Sequence, residues 1–364
     1  MKIQDVIREV ESLAPISLQE SYDNAGLIVG NSQTPLKGIL ICLDCIEAVV
    51  EEAIEKKCNL ILAHHPIVFS GIKRFNGDNY IQRVIIKAIK NDIAIYAAHT
   101  NLDNVIQGVN YAIAQRLNIQ DTKILSAKKG LLKKMHTYVP NMHLPIVQDA
   151  IFKAGAGKIG EYDECSFTHE GKGSFKAGPN TKAFVGQKGQ RHIEAETKLE
   201  FIYPAFKEGA IINALKNAHP YEEVAYDIFQ LENKHEEIGS GMIGTLKEAM
   251  KEQDFLKLLK KEMNLEVIRH TQLLNRTIKK VAFCGGSGSF LLSKALGQKA
   301  DIFITSDFKY HQFFDADNKI IIADIGHYES EQYTNDLFFN LLKKKFSNFA
   351  LFITEINTNP IKYF

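Results

Sequence analysis

No stretch of this 364-residue chain approaches the ~20 consecutive apolar residues that a membrane-spanning helix needs. The opening residues, Met1-Lys2-Ile3-Gln4-Asp5, lack the apolar core of a secretory signal and instead begin an amphipathic helix. Cysteine is scarce and odd in number, five in all, which gives no sign of a disulfide framework and points to a reduced, cytoplasmic protein. Neither sign of charge dominates. Lys+Arg number 44 and Asp+Glu 43, a net charge of +1, which argues against a generic nucleic-acid binder. What is present is the composition of a soluble globular protein, 45% hydrophobic and 24% charged, at a length that suits two or three domains.

Short apolar runs alternate with helical periodicity at both ends of the chain. Residues 3–13 have helical spacing and Pro15 stops them. Runs at 36–43, 60–63 and 93–97 read as strands, with helices expected at 46–57, 80–90 and 105–117. Strand–helix–strand succession of this kind builds a largely parallel sheet. Near Ser126 the texture changes. Strand at 134–139, helix at 145–154, a glycine-broken polar segment, strand at 199–203, helix at 208–217 and strand at 224–231 give the order βαββαβ, the ferredoxin-like arrangement. The charged stretch Glu232–Glu237 reads as a return linker. After it come a helix at 251–263, strands at 280–284, 300–305 and 319–323, a helix carrying His327 and Glu331, and a last strand at 349–355. The expectation is an α/β metal-binding core from residues 1–127 and 236–364, interrupted by an α+β domain at 128–235. The core is either one domain drawn from both outer segments or two similar halves.

One stretch changes character abruptly: Asn59-Leu60-Ile61-Leu62-Ala63-His64-His65-Pro66. Proline cannot continue a central ladder, so the strand ends at the two histidines, where open α/β sheets place their ligand sites. Neighbouring side chains on a strand face opposite ways. Either the backbone turns before Pro66, or each imidazole serves a different metal.

Three more strand ends carry ligand-type side chains: His99-Thr100-Asn101-Leu102-Asp103, Ser306-Asp307 with His311 four residues on, and Asp324 through Glu331. In the last, His327 and Glu331 are four apart, which puts them on one helix face at roughly 5–6 Å between Cβ atoms. Alone such a pair is an ordinary solvated face; four such strand ends together argue for a metal site. His64, His65, Asp103, His327 and Glu331 make five nitrogen and oxygen ligands without a thiolate. That set suits zinc, iron(II), manganese or cobalt, and is too large for one open catalytic zinc. Two divalent ions sharing a bridging carboxylate accommodate it.

His64-His65-Pro66, Asn101-Leu102-Asp103 and Gly326-His327-Tyr328-Glu329-Ser330-Glu331 resemble the Nif-three-like dinuclear metal proteins, many of which bear the label GTP cyclohydrolase 1 type 2 homolog. Ser21–Leu27 and Cys284–Ser289 are similar to further stretches of that family. The resemblance implies that His65 and Asp103 hold one metal, His64 and His327 the other, with Glu331 bridging. It also implies a toroidal homohexamer. The segment Ala218–Tyr226 resembles the trimeric PII/CutA proteins, which implies trimers of the insert.

Asn24, His99, Asp307, His311, Gly286 and Ser287 are candidates for orienting the ligands or holding a substrate. Gly285–Ser289, between a strand and a helix, reads as a phosphate cradle or as a plain tight turn. Cys42 and Cys45 read as buried cysteines rather than half a zinc site, and Asp44 as the cap of the following helix. The function expected is a metal-dependent hydrolase acting on a nucleotide-like or phosphorylated small molecule. The alternative is a non-enzymatic metal or small-molecule sensor, a ring regulated through the inserted domain. A ring enclosing nucleic acid fits poorly with the near-neutral charge.

Overall fold

In a computed structural model, which describes every residue from Met1 to Phe364, the run Leu60–Ala63 is a strand buried at all four positions. Its neighbours Ile39–Cys42 and Ala94–Ala97 are buried throughout as well, and both pair with it in parallel. Burial on both faces is why these strands read as continuous apolar runs. They belong to a five-stranded sheet closed on one side by antiparallel Gly26–Val29 and on the other by parallel Leu351–Ile353. The helices around it bury regular stripes. Ile3, Val6, Ile7 and Val10 form that of Ile3–Leu13, and Val84, Ile85 and Ala88 that of Tyr80–Lys90. The second helix starts at Asn79, whose side chain accepts the Gln82 N–H at 3.0 Å.

A six-stranded sheet holds Arg269–His270, Ile321–Asp324, Ile302–Ser306, Thr277–Ser287, Lys234–Lys251 and Ile119–Lys129, in that order. Its middle strands are parallel, while Arg269–His270 runs antiparallel to Ile321–Asp324 and Lys234–Lys251 antiparallel to Thr277–Ser287, so the sheet is mixed rather than largely parallel. Each sheet borrows from the other end of the chain. The first takes Leu351–Ile353 and the second Ile119–Lys129, and Met1–Ala127 with Glu237–Phe364 form one compact unit. Buried aromatics such as Phe255 and Phe283 pack on one side of the second sheet and Phe303 on the other; each contributes roughly 1.5–3 kcal/mol.

Residues Lys128–Glu236 are a second compact unit. Strand Leu132–Pro140, helix Leu144–Lys153, strands Ser166–Lys176 and Arg191–Pro204, helix Glu208–Ala218 and strand Tyr226–Gln230 follow one another. The four strands form one antiparallel sheet in the order Ser166–Lys176, Arg191–Pro204, Leu132–Pro140, Tyr226–Gln230.

Two readings are corrected. The charged stretch taken as a return linker lies largely within the 18-residue strand Lys234–Lys251. The glycine-broken segment contains the 11-residue strand Ser166–Lys176. Both carry polar residues on solvent-facing sides, so neither shows an apolar run.

Candidate metal centre

Each ligand candidate sits just past the C-terminal end of a parallel strand. His64 and His65 follow Leu60–Ala63, and Asp103 closes the short helix Thr100–Asp103 after Ala94–Ala97. His327 and Glu331 form the two ends of the short helix after Ile321–Asp324, and Asp307 follows Ile302–Ser306.

His64 is fully buried, and its Nδ1 donates to the Ala98 carbonyl at 2.9 Å, so its Nε2 presents a lone pair. That Nε2 lies 3.6 Å from Asp103 Oδ1 and 3.8 Å from Glu331 Oε1. Neither His64 Nε2 nor Asp103 Oδ1 has a hydrogen-bond partner, though both atoms are buried. Buried acceptors that face one another unpaired are costly, and a cation among them removes the cost. A second group adjoins the first. Glu331 Oε2 is 2.9 Å from His65 Nε2 and 3.1 Å from His327 Nε2, and the two imidazole nitrogens are 3.4 Å apart. Two sets built on Glu331, His64–Asp103–Glu331 and His65–His327–Glu331, each bring three ligand atoms within 4.8 Å of one another, and a third such group joins His64, His65 and His99. Glu331 gives one oxygen to each.

The residues therefore fit divalent cations. The adjacent histidines, with ring centroids 4.8 Å apart, fall in different sets around Glu331 and share a third group with His99. The grouping differs from the pairing implied by resemblance: His64 stands with Asp103, and His65 with His327. No thiolate competes. Cys284, in the cavity wall, is kept a thiol by burial and by the charges of Asp103 and Glu331.

The electrostatics show how crowded the carboxylates are. Burial, then the charge of Glu331, pushes the Asp103 carboxyl up to about 7. Burial acts the same way on Glu331, but His327, His64 and His65 outweigh it and hold the group well below the ordinary carboxylate range. Burial lowers His65 and His327, yet carboxylates raise them to about 10 and about 11. A binding cation must displace those protons.

The outer contacts fix the rings. His65 Nδ1 donates to Asp44 Oδ1 at 2.8 Å, and His327 Nδ1 to Asp307 Oδ2 at 2.6 Å. Asp44 does not cap the next helix, whose N-cap is Ile46. Asp307 adopts φ +60°, a conformation that side chains other than glycine rarely take. His99 reaches the same cavity, its Nδ1 bonded at 2.7 Å to Asp23, whose other oxygen accepts the Thr100 N–H at 3.0 Å.

Three candidates are corrected. His311 is exposed against Tyr310 and Phe314, away from the ligands. Asn24 is exposed and ties its turn to the Val68 carbonyl; its neighbour Asp23 makes the contact that matters. Gly285–Ser289 is a poor phosphate cradle, because the N–H of Gly285 is taken by Asn110 and that of Gly286 by Ser330. Gly286 gives clearance instead. At φ +61°, a Cβ there would stand 2.3 Å from Glu331 Oε1. Ser287 lines the cavity without touching a ligand residue, and Asp324 pairs with Arg269 at 3.1 Å. Asp44 and Asp23 were missed, one hidden between two cysteines and the other beside a more conspicuous asparagine.

A cleft of about 770 Å³ opens over the ligand atoms, with Tyr22, Phe69, Phe290 and Tyr328 in its walls. A sequence profile of the Duf34/NIF3 (NGG1p interacting factor 3) family matches residues 1–360. The chain belongs to that family. Among its relatives, a GTP cyclohydrolase 1 type 2 homolog of Bacillus subtilis is 38% identical across 99% of this chain and 98% of its own. One of Staphylococcus epidermidis is 36% identical across the whole of both. A Bacillus cereus protein related to NIF3, known from its crystal structure, superposes with a TM-score of 0.87 at 36% identity, covering 100% of this chain and 99% of that one. In this Duf34/NIF3 chain the candidate ligand groups come from both outer segments of the sequence, within the matched residues.

Proposed function

We propose that the protein is a dinuclear divalent-metal hydrolase acting on a nucleotide-like or phosphorylated small molecule. The observation that carries this reading is the division of Glu331 between two ligand sets, one of them with buried, unpaired His64 Nε2 and Asp103 Oδ1. His64, Asp103 and Glu331 would hold one ion, and His65, His327 and Glu331 the other. Such a pair supplies the Lewis acidity that hydrolysis of a phosphoester or a ring C–N bond needs. Ala98, Asp44 and Asp307 each take an Nδ1 proton, and so keep the three Nε2 lone pairs aimed inward. Asp23 fixes His99 in the cleft wall, within reach of a bound substrate. Exposed rings of Tyr22, Phe69 and Phe290 offer faces on which a planar base can stack. The names of the relatives point to the same substrate class.

The rest of the reading concerns organisation. Residues 1–127 and 236–364 are the metal-binding core, and 128–235 an inserted ferredoxin-like domain of the PII/CutA kind, which the strand order of that unit supports. The protein works as a cytoplasmic homohexameric ring with the inserts in trimers. A second reading, a ligand sensor regulated through the insert, is favoured by a cavity in that unit.

The test is turnover of GTP and of nitrophenyl phosphate esters by protein loaded with zinc, iron(II), manganese or cobalt. Hydrolysis with at least one metal, abolished by Asp103→Ala with the assembly intact, is expected. No turnover with any of the four gives the sensor reading the lead.

A further inference from the structure

The unit Lys128–Glu236 contains a cavity of about 650 Å³, a size that suits a small-molecule ligand. Leu199, Phe201 and Tyr203 of the strand Arg191–Pro204 pack with helix residues Val147, Ile151, Ile211 and Leu215. By alternation Glu196 and Lys198 project from the other face of the sheet, and both line the cavity.

Glu196 is 8% exposed. Its hydrogen-bond partner is the Tyr221 hydroxyl, which donates to Oε1 at 2.8 Å, and no cationic side chain forms an ion pair with it. Burial, then that carboxylate, holds the Tyr221 phenol above its usual range, so it remains a donor. The nearby Lys198 is engaged elsewhere, bonded to Glu200 at 2.6 Å, and Lys172 and Lys176 are exposed. A buried carboxylate without a counter-charge is expensive unless a cation reaches it.

Aromatic rings surround that position. The Tyr221 centroid lies 6.0 Å from Phe175 and 6.2 Å from Phe184, with the ring planes inclined at 61° and 48°. On the neighbouring strand Gly171 pairs with Glu196 and Gly173 with Glu194, and the Glu196 carboxylate lies over the bare backbone of Gly173. A Cβ on Gly173 would come 2.0 Å from Glu196 Oε2. Rings set at angles around a carboxylate attract a cation through their faces, while the charge repels anions.

We propose that this cavity binds a small organic ammonium compound, an amine with an apolar or aromatic body, its nitrogen held by Glu196 among Phe175, Phe184 and Tyr221. The site is independent of the hydrolase reading.

The test is calorimetric titration of the full-length protein with phenethylammonium, 2-phenylethanol and phenylacetate. The amine binds once per chain, and the alcohol and the acid at least about tenfold more weakly, as loss of a charge-assisted hydrogen bond requires. Glu196→Gln, which keeps the shape and the Tyr221 bond, weakens amine binding roughly 10- to 100-fold. Gly173→Ala displaces the carboxylate without changing any charge, and weakens it as well. Equal affinity for amine and alcohol, undiminished binding in Glu196→Gln, or no binding of the amine to the wild type overturns the proposal. The comparison of amine with alcohol uses the wild type alone, so it stands even where a variant fails to fold.

Discussion

Asp44 Oδ1 accepts the Nδ1 proton of His65 at 2.8 Å, while Asp44 Oδ2 accepts the Thr358 hydroxyl at 2.8 Å. A residue near the C-terminus thereby holds the carboxylate that holds a candidate metal ligand. The ring of His65 is fixed from behind, and its Nε2 is left facing Glu331 and His327.

Asp44→Ala is expected to weaken binding at the His65–His327–Glu331 set by roughly 10- to 100-fold, the usual loss when such an outer partner is removed. Thr358→Val removes only the bond to Asp44 and should have a smaller effect in the same direction. Competition against a chelator of known affinity measures both. Unchanged affinity in Asp44→Ala would mean that His65 needs no such support.

Gly286→Ala introduces strain and a clash together, since the residue has φ +61° and its Cβ would press on the Glu331 carboxylate. A cost of about 1–3 kcal/mol is expected for the backbone conformation alone, with a lower thermal midpoint and reduced metal content. Gly297→Ala is the control. It ends the helix Leu292–Gly297 with open space around a new Cβ, and should leave metal content untouched.

The candidate ligands stand out in the sequence because each follows a short, wholly buried strand that stops at a breaker or a polar turn. His64-His65-Pro66 and the His327–Glu331 spacing became informative together with the other strand ends that carry ligand-type side chains. The residues behind them were not legible. Asp44 looks like a cap in sequence, and only the fold brings it across to His65, 21 positions away. Asp23 reaches His99 over 76 positions. The sheets were legible where strands are buried on both sides. Ser166–Lys176 was not, because all but two of its residues are exposed and it contains two glycines. The exchange of strands between the outer segments left no local mark.

His219 provides a pH dependence apart from the metal site. Its Nε2 donates to the Tyr138 carbonyl at 2.9 Å, and its Nδ1 accepts the Tyr221 N–H at 3.1 Å, which defines a neutral ring. Burial lowers it, as does His143, while the Tyr138 carbonyl and Glu196 act upward. With the folded value depressed, the unfolded chain binds the proton first. The stability of this unit is therefore full above about pH 6.5 and falls as the pH drops through the folded value. An NMR titration should place the His219 midpoint below 6.5; a midpoint at or above it would reverse the sign.

The most direct test counts metal. Protein purified without chelators and analysed for zinc, iron, manganese and cobalt should carry close to two divalent ions per chain, and Glu331→Ala should lose at least one of them. One ion or none in the wild type under metal-replete conditions, or two retained without Glu331, would contradict a centre in which that carboxylate is shared between two sites.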